Sequence, residues 1–229
     1  MSTTAKKPGF GRDAHQQLPA SWGTYLRLLR DRGERPFPKY TYFQGRLTIV
    51  TPGPAHEAIK SRLGGLIEDI LIGLQITFKP YGQVTLLEAA DVRTGTEGDE
   101  CYYLTLSNIE RIRGKKRLVM GQDPPPDLAV EVVATHPLGD TLKVYQGFKV
   151  PEVWVCKRSE VVFLLLGPDG LYARSPTSAC LPFLTADELT PWVYRDDTPD
   201  EAVIRHQFRA WVTGTLGPRH RPQVGGAGA

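Results

Sequence analysis

Two carboxylates interrupt an otherwise apolar run. Asp127 and Glu131 sit in DLAVEVVA, residues 127–134, directly after three prolines at 124–126 that stop any preceding helix. The run is rich in valine, as expected of a strand covered on both faces. A strand has a side-chain period of two, so Asp127, Ala129, Glu131 and Val133 share one face. Two acids on such a face are costly to bury unless a cation compensates them. A divalent metal or a lysine would do so, and Lys143 follows one short helix later, where it could fold back over that face. Asp127 also has a plainer reading, as a strand-start residue held by a loop amide. A further acidic cluster, Glu97-Gly98-Asp99-Glu100, enters the aromatic stretch Cys101-Tyr102-Tyr103. Such clusters are usually solvated turns, but beside a strand with buried acids Asp99 becomes a partner carboxylate. Glu57 lies in the first turn of a helix, where the helix dipole favours an acid. It could instead point back toward the acidic strand and hold a metal-bound water.

The elements that must position these residues are legible in outline. Ser21 caps a first helix running to about Arg32, and Gly33 ends it. Lys39 to Val50 reads as a hairpin turning at Gln44-Gly45. A long helix follows over about 55–74, with an apolar stripe of Ile59, Leu63, Leu66, Ile67, Ile70, Leu71 and Leu74. Residues 75–78 and 83–87 are strand-like. The central segment reads strand, helix, strand up to Cys156, and a meander over 152–157, 160–166 and 171–174 extends the sheet. Thr198-Pro199-Asp200-Glu201 opens a last helix to about Val212, with Thr198 as the expected cap. Residues 1–18 and 215–229 read as disordered arms around a single domain over 19–214.

Composition excludes more than it selects. The 229 residues are 41% hydrophobic and 23% charged, with a net charge of +3, which suits one soluble domain and permits a polyanionic partner without requiring one. No apolar stretch is long enough for a bilayer and no signal-peptide core is visible, so a cytoplasmic protein is expected. Three scattered cysteines suit reduced thiols, and five dispersed histidines give no zinc pattern. Residues 110–117, ERIRGKKR, hold five basic side chains that suit either a solvated loop or a phosphate-contacting one. There is no helix-turn-helix or zinc-finger signature.

Four segments in order carry a resemblance: KYTYFQGRLTIVTPGPAHE at 39–57, EGDECYYL at 97–104, PPPDLAVEVV at 124–133 and LKVYQGFKVPEVWV at 142–155. Together they resemble the Uma-two family, a restriction-endonuclease branch of the PD-(D/E)XK nuclease superfamily. The resemblance covers most of residues 20–190. It implies a mixed α/β fold, an αβββαβ core whose central mixed sheet is flanked by helices, with an added hairpin and meander. It places the first acid on Asp99, with Gly98 where the family has proline, and the second on Glu131. The superfamily lysine would fall on position 133, which is valine here, so the resemblance transfers its role to Lys143. Asp127, Glu57 and Tyr145 match further family positions.

The implied activity is Mg²⁺-dependent hydrolysis of DNA phosphodiesters, with Mn²⁺ as the alternative ion. Asp99, Glu131 and the Val132 carbonyl would hold the metal, with Asp127 assisting and Lys143 acting on the water or the transition-state charge. Nucleases of this fold often act as homodimers on duplex DNA, an expectation that names no interface. Two other readings stay open: an inactive nuclease-fold module binding DNA or protein, and a hydrolase of a smaller phosphorylated molecule.

Overall fold

The computed structural model describes residues 13–88, 93–133 and 138–220. The chain opens with β1 (Ala14–Pro19) and α1 (Trp22–Arg32), followed by the hairpin β2 (Lys39–Phe43) and β3 (Arg46–Thr51). Gln44 and Gly45 both have positive φ, as a two-residue hairpin turn with the right twist requires. Next come α2 (Pro54–Gly73), β4 (Lys79–Pro80), β5 (Thr85–Glu88), β6 (Gly95–Glu97) and β7 (Glu100–Tyr103). After α3 (Leu106–Arg111) and β8 (Arg117–Met120), the central strand β9 (Leu128–Val133) leads to α4 (Gly139–Phe148). The meander β10 (Glu152–Lys157), β11 (Glu160–Leu166) and β12 (Tyr172–Ser175) precedes α5 (Ala186–Val193) and α6 (Glu201–Trp211). A π-helical segment, Val212–Leu216, runs into α7 (Gly217–His220).

The strands form two mixed sheets where one was expected. The first has the order β1-β3-β2-β6-β5-β8 and the second β12-β11-β10-β9-β7-β4. Each contains one parallel pair, β5 with β8 and β9 with β10. The chain passes between the sheets repeatedly, and one of these crossings falls at Gly98-Asp99, between β6 and β7. Leu128, Val130 and Val132 on one face of β9 pack with Leu63, Leu66, Ile67 and Ile70 of α2. Each such fully buried side chain contributes about 1.5–3 kcal/mol. The opposite face of the second sheet carries Ala129, Val153 and Val155 and packs on Val144, Tyr145 and Phe148 of α4, with β5 and β8 beyond. Tyr25 and Leu29 of α1 cover the β2–β3 hairpin.

Several end assignments are corrected. Residues 14–18, expected to be loose, belong to β1 and pair with β3. Their mostly exposed side chains carry no apolar alternation, so backbone pairing was invisible in the sequence. Beyond position 214 the chain stays helical to His220. Residues 1–12 and 221–229 of the expected arms lie outside the described residues. The last helix is capped by Asp200, whose side chain accepts from the Ala202 amide at 2.9 Å, and not by Thr198. Residues 76–78 are not a strand. The Asp13 carboxylate pins the start of α2, accepting from the Gly53 N–H at 2.8 Å.

Candidate active site

Asp99 and Glu131 converge. In the antiparallel pairing of β7 with β9, Cys101 faces Ala129 and Glu100 faces Val130. One residue further, Asp99 comes opposite Glu131. The Val132 N–H donates to Asp99 Oδ2 at 2.8 Å, fixing the carboxylate against β9. Both acids are buried, with Asp99 fully excluded from solvent and Glu131 3% exposed.

The cation beside them is Lys39, at the start of β2, not Lys143. The Lys39 ammonium donates to Asp99 Oδ1 at 2.5 Å and is itself buried. Lys143 lies on an outward part of α4, half-exposed, 3.7 Å from Asp140 and 5.5 Å from the centre of the Phe43 ring. A helix turns about 100° per residue, and the phase of α4 turns Tyr145 inward while leaving Lys143 at the rim. The Tyr145 hydroxyl donates to Glu131 Oε1 at 2.5 Å. This contact also accounts for Gly98. A Cβ there would collide with the Tyr145 hydroxyl and lie 3.2 Å from Glu131 Oε1, so the tyrosine fills the space a proline would need.

His56 is the second residue not singled out from the sequence. On the first turn of α2 it is buried, with Nε2 at 2.9 Å from Asp99 Oδ1 and Nδ1 at 3.4 Å from Asp13 Oδ2. Its neighbour Glu57 stands at the edge of the cluster. Its carboxylate is over a third exposed, 3.8 Å from Lys60, with Oε1 buried and lacking a hydrogen-bond partner, though its charge still acts on Lys39. Asp127 is removed from the cluster. Its Oδ2 accepts from the Leu104 N–H at 2.6 Å and the Thr105 N–H at 3.3 Å, so the loop-amide reading holds. The Val132 side chain lies in the α2-facing core.

The electrostatics of the two acids diverge. Burial alone would raise the Asp99 carboxyl, but the Lys39 ammonium and the His56 imidazole outweigh it and hold it well below the usual carboxylate range. Burial, then the neighbouring Asp99 charge, push Glu131 up to about 7, against the pull of Lys39. Burial lowers Lys39, but Asp99 and Glu131 together raise it, so it stays a firm cation. Burial likewise opposes, and the Asp99 hydrogen bond then favours, the charged form of His56.

A cavity of about 230 Å³ opens over Glu131 and Lys39, with Thr41, Arg46 and Asp140 among its walls. Among the described residues no group of three or more His, Cys, Asp or Glu side chains could by itself hold a metal ion. The protein therefore offers two facing carboxylates of like charge, one of which resists ionisation. That donor set suits a hard ion that keeps most of its waters, and Mg²⁺ accepts one or two carboxylates in that way.

The class this fold defines emerges from comparison. A crystal structure from Anabaena variabilis, described as "a putative nuclease belonging to DUF820", superimposes with a TM-score of 0.51. It is 17% identical, over 76% of this chain and 99% of that one, so the two share a fold. The chain belongs to the Uma2 family, described as "Putative restriction endonuclease", whose model matches residues 22–196. No curated protein matches the chain. Among the described residues no helix is long and apolar enough to cross a membrane.

Proposed function

We propose that the protein is a divalent-metal-dependent endonuclease acting on DNA phosphodiester bonds, with Asp99, Glu131 and Lys39 as its centre. The observation that carries this reading is the approach of two buried carboxylates, Asp99 just ahead of β7 and Glu131 on β9, with a buried ammonium against one of them. Asp99 and Glu131 would hold Mg²⁺ or Mn²⁺, with the Val132 carbonyl as a candidate third donor. When bound, such an ion neutralises charge on phosphoryl oxygens and makes a bound water more acidic.

The chain's own residues do the rest. Lys39, held protonated by its neighbours, can stabilise negative charge on a phosphoryl oxygen but is a poor acceptor for a proton. Tyr145 orients the Glu131 carboxylate through its hydroxyl. His56 and the Val132 amide fix the plane of the Asp99 carboxylate. The basic stretch after α3 is a weaker candidate for backbone contact, since Lys115 pairs with Asp123 and Lys116 with Glu34.

A second reading draws on one specific feature. Lys39, His56 and the Val132 N–H already donate to Asp99, leaving it few lone pairs for a metal. That would suit a nuclease fold that binds DNA without cleaving it. A plasmid-nicking assay across Mg²⁺ and Mn²⁺ separates the two. Cleavage by the wild type that disappears in both Glu131→Gln and Asp99→Asn supports the nuclease. Salt-sensitive binding with no cleavage under any metal supports the inactive module.

A further inference from the structure

The mouth of the cavity is closed by a carboxylate in a setting suited to a phosphate. Arg46, the first residue of β3, reaches Asp140 with two nitrogens, Nε at 3.1 Å from Oδ2 and Nη2 at 2.7 Å from Oδ1. Gln17 of β1 adds Nε2 at 2.9 Å from Oδ2, and the Lys143 ammonium stands 3.7 Å from Oδ1. Three side chains from two strands and a helix thus converge on one anionic group, whose side chain is only 10% exposed while that of Arg46 is 48% exposed. Planar, forked donation of this kind fits a phosphate as well as a carboxylate. Gln17, Arg46 and Asp140 line the same cavity as Lys39 and Glu131.

We propose that Arg46 and Gln17 form a phosphate-binding subsite for the nucleic-acid strand, and that Asp140 occupies it until substrate arrives. The proposal rests on the nuclease reading for its substrate class, a phosphodiester chain. A phosphate seated on Arg46 leads the attached strand into the cavity toward Lys39 and Glu131. Arg46 is half exposed and so open to an incoming anion, which would take over the donors that Asp140 now occupies. Asp140 lies in the first turn of α4, so after release it still faces the favourable end of that helix. Lys143, at the rim, belongs to this subsite rather than to the metal centre.

The test is binding of a short labelled oligonucleotide by fluorescence anisotropy in EDTA, where no cleavage can occur. Asp140→Asn should tighten binding roughly five-fold, because the competing charge is gone while the side-chain shape remains. Arg46→Gln should weaken it, and the double variant should lose the gain. Asp187→Asn, which neutralises an exposed acid on α5, measures the general effect of removing one negative charge. Unchanged or weaker binding by Asp140→Asn overturns the proposal. So does a gain no larger than that of Asp187→Asn, or one that survives in the double variant. Because the readout is metal-free, absence of nuclease activity leaves this result interpretable, and failure here leaves the metal centre untouched.

Discussion

Two buried acids only two residues apart, Glu97 and Asp99, are treated in opposite ways. Glu97, at the end of β6, faces a fork of two nitrogens from Arg32, the Tyr40 N–H at 3.0 Å and the Thr85 hydroxyl at 2.9 Å. One carboxylate meets one guanidinium, and every oxygen is satisfied. Asp99 also meets a buried cation, but a second carboxylate, Glu131, stands opposite it and, among the described residues, accepts from a tyrosine hydroxyl and no other donor. The first arrangement closes on itself. Glu97 and Glu131 both border the cavity, but only the second arrangement keeps an excess of acceptors, which is what a site awaiting a cation needs. Burial of an acid is therefore uninformative here, and the balance of charge around it is what separates scaffold from site.

The contrast can be broken most sharply through activity. Glu131→Gln should reduce metal-dependent cleavage about a thousand-fold while leaving the melting temperature unchanged or higher, since it removes the acid that resists ionisation. Lys39→Ala should lose activity on a similar scale, whereas Lys143→Ala should keep most of the catalytic rate in nicking assays. Equal losses in the two lysine variants would return Lys143 to the centre.

Glu97→Gln should do the reverse of Glu131→Gln. Leaving the Arg32 guanidinium buried beside a neutral partner should cost about 3–5 kcal/mol in denaturant unfolding. Metal binding by the fraction that stays folded should be unaffected.

The pH dependence of the metal-free protein gives an intermediate effect. The folded-state pKa of Glu131 is raised from 4.5 to about 7. Between those values the folded protein holds a proton that the unfolded chain has released. Stability from this group is therefore full below about 4.5 and is lost as pH rises to about 7. Asp99 acts oppositely, since its depressed pKa adds stability that disappears only as strong acid protonates it. Thermal melts from pH 5 to 8 in EDTA should show the Glu131 slope in the wild type and lose it in Glu131→Gln.

The smallest effect is expected at Asp127. Removing its carboxylate frees the Leu104 and Thr105 amides, so Asp127→Ala should cost about 1 kcal/mol, with cleavage nearly unchanged per folded molecule.

The sequence revealed the central strand, the aromatic strand, the long helix and both acids because each leaves a local trace, in the valine run around Glu131, the aromatic residues after Asp99 and the apolar stripe of α2. The division of the strands into two sheets left none. β6 is three residues long, the chain passes between the sheets several times, and the passage into β7 takes place across Gly98-Asp99, too short a stretch for any periodicity to register. Lys39 was hidden for the same reason. It sits near Asp99 because β2 pairs with β6, opposing Tyr42 to Gly95, and that contact spans over fifty positions of chain. His56 was a matter of helix phase, since Glu57 drew attention by its charge while its neighbour turned inward. Both missed residues lie inside the first of the four segments that carried the family resemblance, where Lys39 is the first residue and His56 the next to last.

Calorimetric titration with Mn²⁺ near pH 6.5, repeated in buffers of different ionisation enthalpy, tests most directly whether Glu131 and Asp99 await a cation. At that pH the wild type should bind the ion and release protons, Glu131→Gln should bind far more weakly and lose that release, and Lys143→Ala should match the wild type. Undiminished binding by Glu131→Gln, or no binding by the wild type, would contradict the account.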